Sequence, residues 1–425
     1  MRIKLYPPER LRIEAQIPAS KSISNRALII QALAGRDEAK EQQEVKNLSD
    51  CDDTQVMTRA LSLMPHIIDI MAAGTAMRFL TAYLSITQGT HIITGTERMR
   101  HRPIGILVDA LRELGAQIEY AEEQGFPPLH ITGQNLKGGK LSLSGSVSSQ
   151  YISALLMIAP MMEQGLVLTL TGNIVSRPYI DMTLAIMTTY GAKASWQDER
   201  TLRVEPVKYT PTPYTIENDW SASSYWYEMV ALTQDPDPKV ILQGLFSKSL
   251  QGDAAICNIF RHLGVNTRFF LNEQGRECIE LTRQGTACKH LEYDFVRQPD
   301  LAQTVVVTCV MMGITFRFTG LQSLKIKETD RLTALCTELH KLGYVLKELD
   351  GNTLLWEGER CMPRERPIMD TYEDHRMAMS LAPTCMQTGM TEMNDPHVVS
   401  KSYPRFWQEL KGFRIEEEQE GGNPK

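Results

Sequence analysis

No two of the eight cysteines, at 51, 257, 278, 288, 309, 336, 361 and 385, form a C-x-x-C pair, and their spacing is irregular. That pattern offers neither a zinc ribbon nor a disulfide framework, so reduced thiols are expected. Long apolar runs are also missing: the longest, VVVTCVMMGITF, stops at Arg317 and is too short to span a bilayer. The opening MRIKLYPPER has no apolar core of the secretory kind. Positive charge is scarce overall, with 45 Lys and Arg against 51 Asp and Glu for a net charge of −6. A nucleic-acid binder would need a basic stripe, so any anion site must be a local concentration of cations. Neither GxxxxGK[ST] nor GxGxxG occurs, and there is no nucleophile elbow and no metal-type His/Asp/Glu spacing. What remains is a soluble, cytoplasmic protein acting on small, multiply anionic molecules, with no cofactor, metal, nucleic acid or membrane expected.

The length of 425 residues and 42% hydrophobic content allow two domains with real cores. A small pattern recurs in them, a helix ending at Gly followed by a β-rich run: LRELGAQIEY, MTTYGAKASW, FRHLGVNTRFF, LHKLGYVLKEL and WQELKGFRIE. Gly115, Gly191, Gly264, Gly343 and Gly412 recur roughly 70 to 80 residues apart, which suggests repeated α/β units. A sixth unit is due near the start. ALSLMPHIIDI reads as its remnant, only about 50 residues before Gly115, so that unit is expected to be shortened.

Helix starts repeat as well. SKSISNRALII, AGTAMRFLTAYL, SVSSQYISALLM, SASSYWYEMVAL, KETDRLTALC and DHRMAMSLA each place small polar or charged residues before an apolar helix. Capping explains any one of them. Four also carry Lys or Arg in the first turn, where a cation opposes the positive end of the helix dipole unless an anion binds there.

In KSISNR, Ser22 and Arg26 share a helical face, with Lys21 at the free end. Arg suits a carboxylate by its two-pronged geometry, while Lys is a mobile charge and proton carrier. Gly74 in AGTAMR lets an anion approach the backbone or makes a tight turn, and Arg78 follows one turn on. Arg102 lies in the basic loop MRHRPI. Ser148, Ser149 and Gln150 are neutral donors at a helix start, and IVSRPYI adds Ser176 and Tyr179. KETDR sets Lys327, Glu328 and Arg331 together, either as a solvated helix start or as an anion site with a proton donor or acceptor beside it. His375 and Arg376 open another helix, Asp300 follows Pro299 where an N-cap is the plainer account, and Lys401 alone reads as surface. Eight basic residues, Lys21, Arg26, Arg78, Arg102, Lys327, Arg331, Arg376 and Lys401, fall at such starts or turns.

Taken together these stretches resemble the 5-enolpyruvylshikimate-3-phosphate synthase family. SKSISNRAL, AGTAMR, RPIG..VDALR.LGA, GSVSSQ, VSRPYIDMTL, QGD, PD.A, IKETDRL and DHRMAM follow in the family's order over nearly the whole chain. The resemblance implies an α/β (α+β) fold, a two-domain inside-out α/β barrel whose domains each hold three βαβαββ repeats in pseudo-threefold symmetry. The first repeat of the second domain is the shortened one. One domain is discontinuous, residues 1–19 and 219–425, the other is inserted at 20–218, and the active site lies in the cleft between them. A monomer is implied.

The resemblance also implies residue roles. Shikimate 3-phosphate would be held by Lys21, Ser22, Arg26, Ser148, Ser149, Gln150, Ser176, Tyr179, Asp300, Ser323 and Lys327. Phosphoenolpyruvate would lie on Lys21, Gly74, Arg102, Gln150, Arg331, Arg376 and Lys401. Asp300 is the implied base and Glu328 the proton donor, with Lys21 assisting. Gly74, rather than Ala, implies sensitivity to glyphosate. Four positions depart from the family pattern: Ala72 and Ser323 stand where Asn is usual, Lys325 for Arg, and Phe79 for the Pro after AMR. None removes an acid, a base or an anion clamp. Two rival functions remain, enolpyruvyl transfer to UDP-N-acetylglucosamine and a non-catalytic anion-binding protein of the same fold. The absence of a Cys from GTERMRHRPIG weighs against the first.

Overall fold

The computed structural model describes residues 1–35 and 44–418. Its chain forms two compact units, Met1–Pro18 with Asn218–Lys425, and Ala19–Glu217. The stretch EEEQEGGNPK enters a strand over its first three residues, pairing Glu416, Glu417 and Glu418 with Lys4, Ile3 and Arg2. Its residues 419–425 lie outside the described ones.

Among the described residues, the first unit holds three four-stranded sheets of one design. Arg12–Ala15 runs parallel to Lys239–Gln243, which then pairs antiparallel with Glu277–Arg283 and, beyond it, Val265–Leu271. His290–Asp294, Thr315–Thr319, Thr353–Trp356 and Lys347–Leu349 repeat that order. So do Ile368–Met369, Thr391–Asn394, Arg2–Tyr6 and Arg414–Glu418, the last sheet borrowing a central strand from the start of the chain. A helix must bridge each parallel pair, because parallel strands need a long crossover. These bridging helices are the core: every residue of Trp220–Leu232 is buried, as are ten of the eleven in Ala302–Met312. A helix apolar on all sides belongs inside, with sheets around it.

The second unit repeats the design twice, in Ile67–Asp69, Gly89–Thr94, Leu129–Gly133 and Gln117–Tyr120, and in Gly139–Ser144, Leu166–Thr171, Thr201–Val204 and Ala194–Trp196. Its third sheet, among the described residues, is only the parallel pair Tyr214–Thr215 and Val45–Lys46. Among the described residues the shortened repeat therefore lacks the antiparallel hairpin. Its helix Asp52–Leu63 ends at Met64, which takes the left-handed conformation (φ 41°) that Gly takes in the other five. The strand after it, Ile67–Asp69, belongs to the next sheet and is no remnant of that hairpin.

The five Gly turns lie where the recurring pattern puts them, with φ between 83° and 104°. Five of the six quoted helix starts hold: helices begin at Lys21, Gly74, Ser149, Trp220 and His375. KETDR differs. Its helix begins only at Arg331, because the Asp330 carboxylate accepts from the N–H groups of Leu332 and Thr333 and caps it there. Lys327 and Glu328 therefore sit in the preceding loop, not on a helical face.

Candidate functional site

In the unit Ala19–Glu217, the helix Lys21–Ala34 starts from Ser20, whose hydroxyl accepts from the N–H of Ile23. Lys21 Nζ lies 3.4 Å from Oδ2 of Asp53, a buried carboxylate that sequence reasoning did not single out. Nothing local signals this pair, 32 residues apart.

Arg26 is buried at 2% exposure and bound by its own unit. Its Nε donates to Thr183 Oγ1 at 2.7 Å, Nη1 to the Ser22 carbonyl at 2.8 Å, and Nη2 to Ser153 Oγ at 2.9 Å. The guanidinium lies 5.3 Å from the Phe79 ring centre and 5.9 Å from that of Tyr179. Phe79 thus packs against Arg26. Burial lowers the Arg26 pKa to about 10, which still leaves a cation at neutral pH.

Gly74 opens its helix without a left-handed φ, so no tight turn requires it. Space does. A Cβ there would stand 2.7 Å from Arg102 Nη1 and 3.0 Å from Arg78 Nη1. Arg78 is fixed by the carbonyl of Gly74 at 2.9 Å. Gln150 Nε2 donates to Thr75 Oγ1 at 3.1 Å, and Ser148 caps the helix Ser149–Ile158 by accepting from the N–H of Gln150. Ser176 stands at the N-cap of Arg177–Thr189 in the left-handed region (φ 56°), yet its hydroxyl makes no capping bond.

In the other unit, Asp300 is not an N-cap. It lies in the short turn Pro299–Leu301, and Leu301 occupies the cap position of the following helix. Its Oδ1 is 3.4 Å from both Lys327 Nζ and Arg331 Nη1, and its Oδ2 is 3.0 Å from Arg376 Nη2. Glu328 is bracketed too, Oε2 by Arg331 and Oε1 by Lys401, both at 2.9 Å. Lys401 is no plain surface lysine, with its side chain 14% exposed. Arg331 Nε donates to Asp374 Oδ2 at 2.7 Å. Four cations thus meet Asp300, Glu328 and Asp374, and the pairs at 2.7 to 3.0 Å are short enough to set geometry firmly. Ser323 lies in the turn Gln322–Ile326 with its hydroxyl buried and unpartnered.

Burial alone would raise Asp300, but Arg376, Lys327 and Arg331 outweigh it and hold its carboxyl well below the usual range. Asp253 goes the other way: burial and the charge of Asp300 push it up to about 7, with the Ser221 hydroxyl donating to it. Asp253 and Asp374 stand in the quoted stretches QGD and DHRMAM, where they carried no assigned role. Among the described residues no group of three His, Cys, Asp or Glu side chains is placed to hold a metal, and no helix is long and apolar enough to cross a membrane.

Comparison with known proteins agrees with this architecture. A family model described as EPSP synthase (3-phosphoshikimate 1-carboxyvinyltransferase) matches residues 5–68 and 62–410. A 3-phosphoshikimate 1-carboxyvinyltransferase of Bacteroides fragilis is 54% identical over 417 residues, covering 98% of this chain and 99% of the relative. One from Aliivibrio fischeri is 33% identical over 438 residues, covering 96% and 98%. The solved EPSP synthase of Acinetobacter baumannii superposes with a TM-score of 0.76 at 18% identity, covering 98% of this chain and all of that one, a likeness of fold. The chain belongs to the EPSP synthase (3-phosphoshikimate 1-carboxyvinyltransferase) family.

Proposed function

We propose that the protein transfers the enolpyruvyl group of phosphoenolpyruvate to the 5-hydroxyl of shikimate 3-phosphate and releases phosphate, a step of the shikimate pathway. The observation that carries this reading is the placement of two carboxylates, Asp300 and Glu328, on a shared cation, Arg331. Addition–elimination needs one base and one acid, and here both sit among cations suited to a phosphate and a carboxylate.

Asp300, kept ionised by its three cations, takes the proton of the attacking hydroxyl as oxygen bonds to C2 of phosphoenolpyruvate. Glu328 delivers a proton to the methylene carbon. Glu328 takes a proton back from the resulting methyl group as the C–O bond to phosphate breaks, and the proton held by Asp300 leaves with the phosphate, giving the enolpyruvyl ether. Lys21 assists proton movement from its place beside Asp53. Arg331, Arg376, Lys401, Arg102, Lys21 and Gln150 hold phosphoenolpyruvate where Gly74 leaves room. Arg26 and Ser22 hold the carboxylate of shikimate 3-phosphate, with Tyr179 against its ring. Ser148, Ser149, Ser176 and Lys327 take its phosphate, and Ser323 offers its unpartnered hydroxyl to the ring. The protein acts as a cytoplasmic monomer.

Phosphate release from the purified protein tests the reading. Release that requires both substrates and persists in a chelator supports it. Release with UDP-N-acetylglucosamine in place of shikimate 3-phosphate would point to the sister reaction, which the relatives' names do not favour. Binding of both substrates without release would leave an anion-binding protein.

A further inference from the structure

Just ahead of the helix His375–Leu381, two consecutive non-glycine residues adopt the left-handed region, Tyr372 at φ 55° and Glu373 at φ 53°. Bulky L-residues avoid that region, and they stay there only where their surroundings over-determine it. Three tethers run from this turn to a single helix, Arg331–Lys341. On the near side, the N–H of Asp370 donates to Glu338 Oε2 at 3.0 Å, and Lys341 Nζ donates to the Asp370 carboxylate at 2.8 Å. In the middle, the Tyr372 hydroxyl donates to Glu338 Oε1 at 2.6 Å. On the far side, Arg331 grips both oxygens of Asp374, at 2.7 and 3.2 Å.

Glu338 is completely buried, with Lys341 at 2.8 Å. Arg331 and Glu338 are seven residues apart and share one face of the helix. An apolar side chain would fill this place without burying a charge. What the carboxylate adds is direction, since its two oxygens fix two points of the turn. Two residues beyond that turn's end, Arg376 donates its N–H to Asp374 Oδ1 at 2.9 Å and its guanidinium to Asp300 at 3.0 Å.

We propose that Glu338 and Tyr372 are positioning residues for phosphoenolpyruvate, latching the left-handed turn so that Asp374 and Arg376 meet Arg331 and Asp300 in one arrangement. The consequence for phosphoenolpyruvate rests on the function proposed above; the latch itself does not.

Tyr372→Phe removes one hydroxyl and keeps the ring. The KM for phosphoenolpyruvate should rise about tenfold, while kcat and the KM for shikimate 3-phosphate stay within about threefold. Amide hydrogen exchange across residues 370–376 should quicken in the same variant. Adding Glu373→Asn, a residue that tolerates the left-handed region, should recover part of the lost affinity. Equal rises in both KM values would make the cluster merely structural and overturn the proposal, as would unchanged exchange with an unchanged KM for phosphoenolpyruvate. A wild-type protein that releases no phosphate would overturn the proposed function and the effect on phosphoenolpyruvate with it, and the exchange measurement would still decide the latch.

Discussion

Gly74 lies directly beneath the guanidinium of Arg102, so close that a methyl on its Cα would stand 2.7 Å from Nη1 and 3.2 Å from Cζ. The obstacle is the far end of a flexible side chain, and the backbone there is ordinary helix. Gly74→Ala should therefore fold normally, gaining up to about 1 kcal/mol of helix propensity, while pushing Arg102 aside. We expect an unchanged or higher Tm, a several-fold higher KM for phosphoenolpyruvate, and weaker inhibition by glyphosate. For the wild-type protein, glyphosate binding with shikimate 3-phosphate should be measurable below millimolar levels; calorimetry that detects none would sink that expectation.

Glu328 touches Arg331 and Lys401, two cations that the proposed function assigns to phosphoenolpyruvate. Glu328→Gln keeps the shape but cannot deliver a proton. Turnover should fall by roughly 10²–10⁴-fold, the usual worth of a placed acid, with both KM values within a few-fold. Steady-state phosphate release decides it, and near-normal kcat would remove Glu328 from the mechanism.

Asp253 gives a pH signature. Raised to about 7, its carboxyl keeps a proton in the folded protein where the unfolded chain has lost it. The folded state then binds more protons than the unfolded one from about pH 4 to 7, so this group's contribution falls as pH rises through that window. Asp300, held low, acts oppositely, and its contribution is lost only as pH drops below about 4. Asp253→Asn should flatten the decline and be more stable than wild type at pH 8, by about 1 kcal/mol or more. Thermal melts from pH 5 to 8 would reveal an unchanged slope if the assignment is wrong.

Arg26 spends three of its nitrogens on Thr183, Ser22 and Ser153. Lysine cannot reproduce that fork. Arg26→Lys should raise the KM for shikimate 3-phosphate roughly 10- to 100-fold, the range for losing a hydrogen bond to a charged group. The KM for phosphoenolpyruvate should move far less, and parallel losses for both substrates would argue against a carboxylate at Arg26.

How much of this was legible in the sequence depends on distance along the chain. The Gly turns and helix starts are local, because a left-handed residue or a capping oxygen acts on its own neighbours. KETDR went astray for a reason equally local: Asp330 captured the cap position three residues later than the cations suggested. The acids that orient the cations were not legible. Asp53 beside Lys21 and Asp374 beneath Arg331 meet their partners only after the sheets have formed, and no spacing announces such a meeting. Phe79 was legible as a departure from the family pattern, but its contact with Arg26 appears only in the fold.

The strand Arg2–Tyr6 sits in the middle of its sheet, between Thr391–Asn394 and Arg414–Glu418. Its two neighbours are made long after it, whereas every described sheet of the unit Ala19–Glu217 closes on strands from within that unit. The inserted unit can thus complete itself while the protein is still being made. The strand Arg2–Tyr6 instead depends on pairings of very long range, the slowest kind to form.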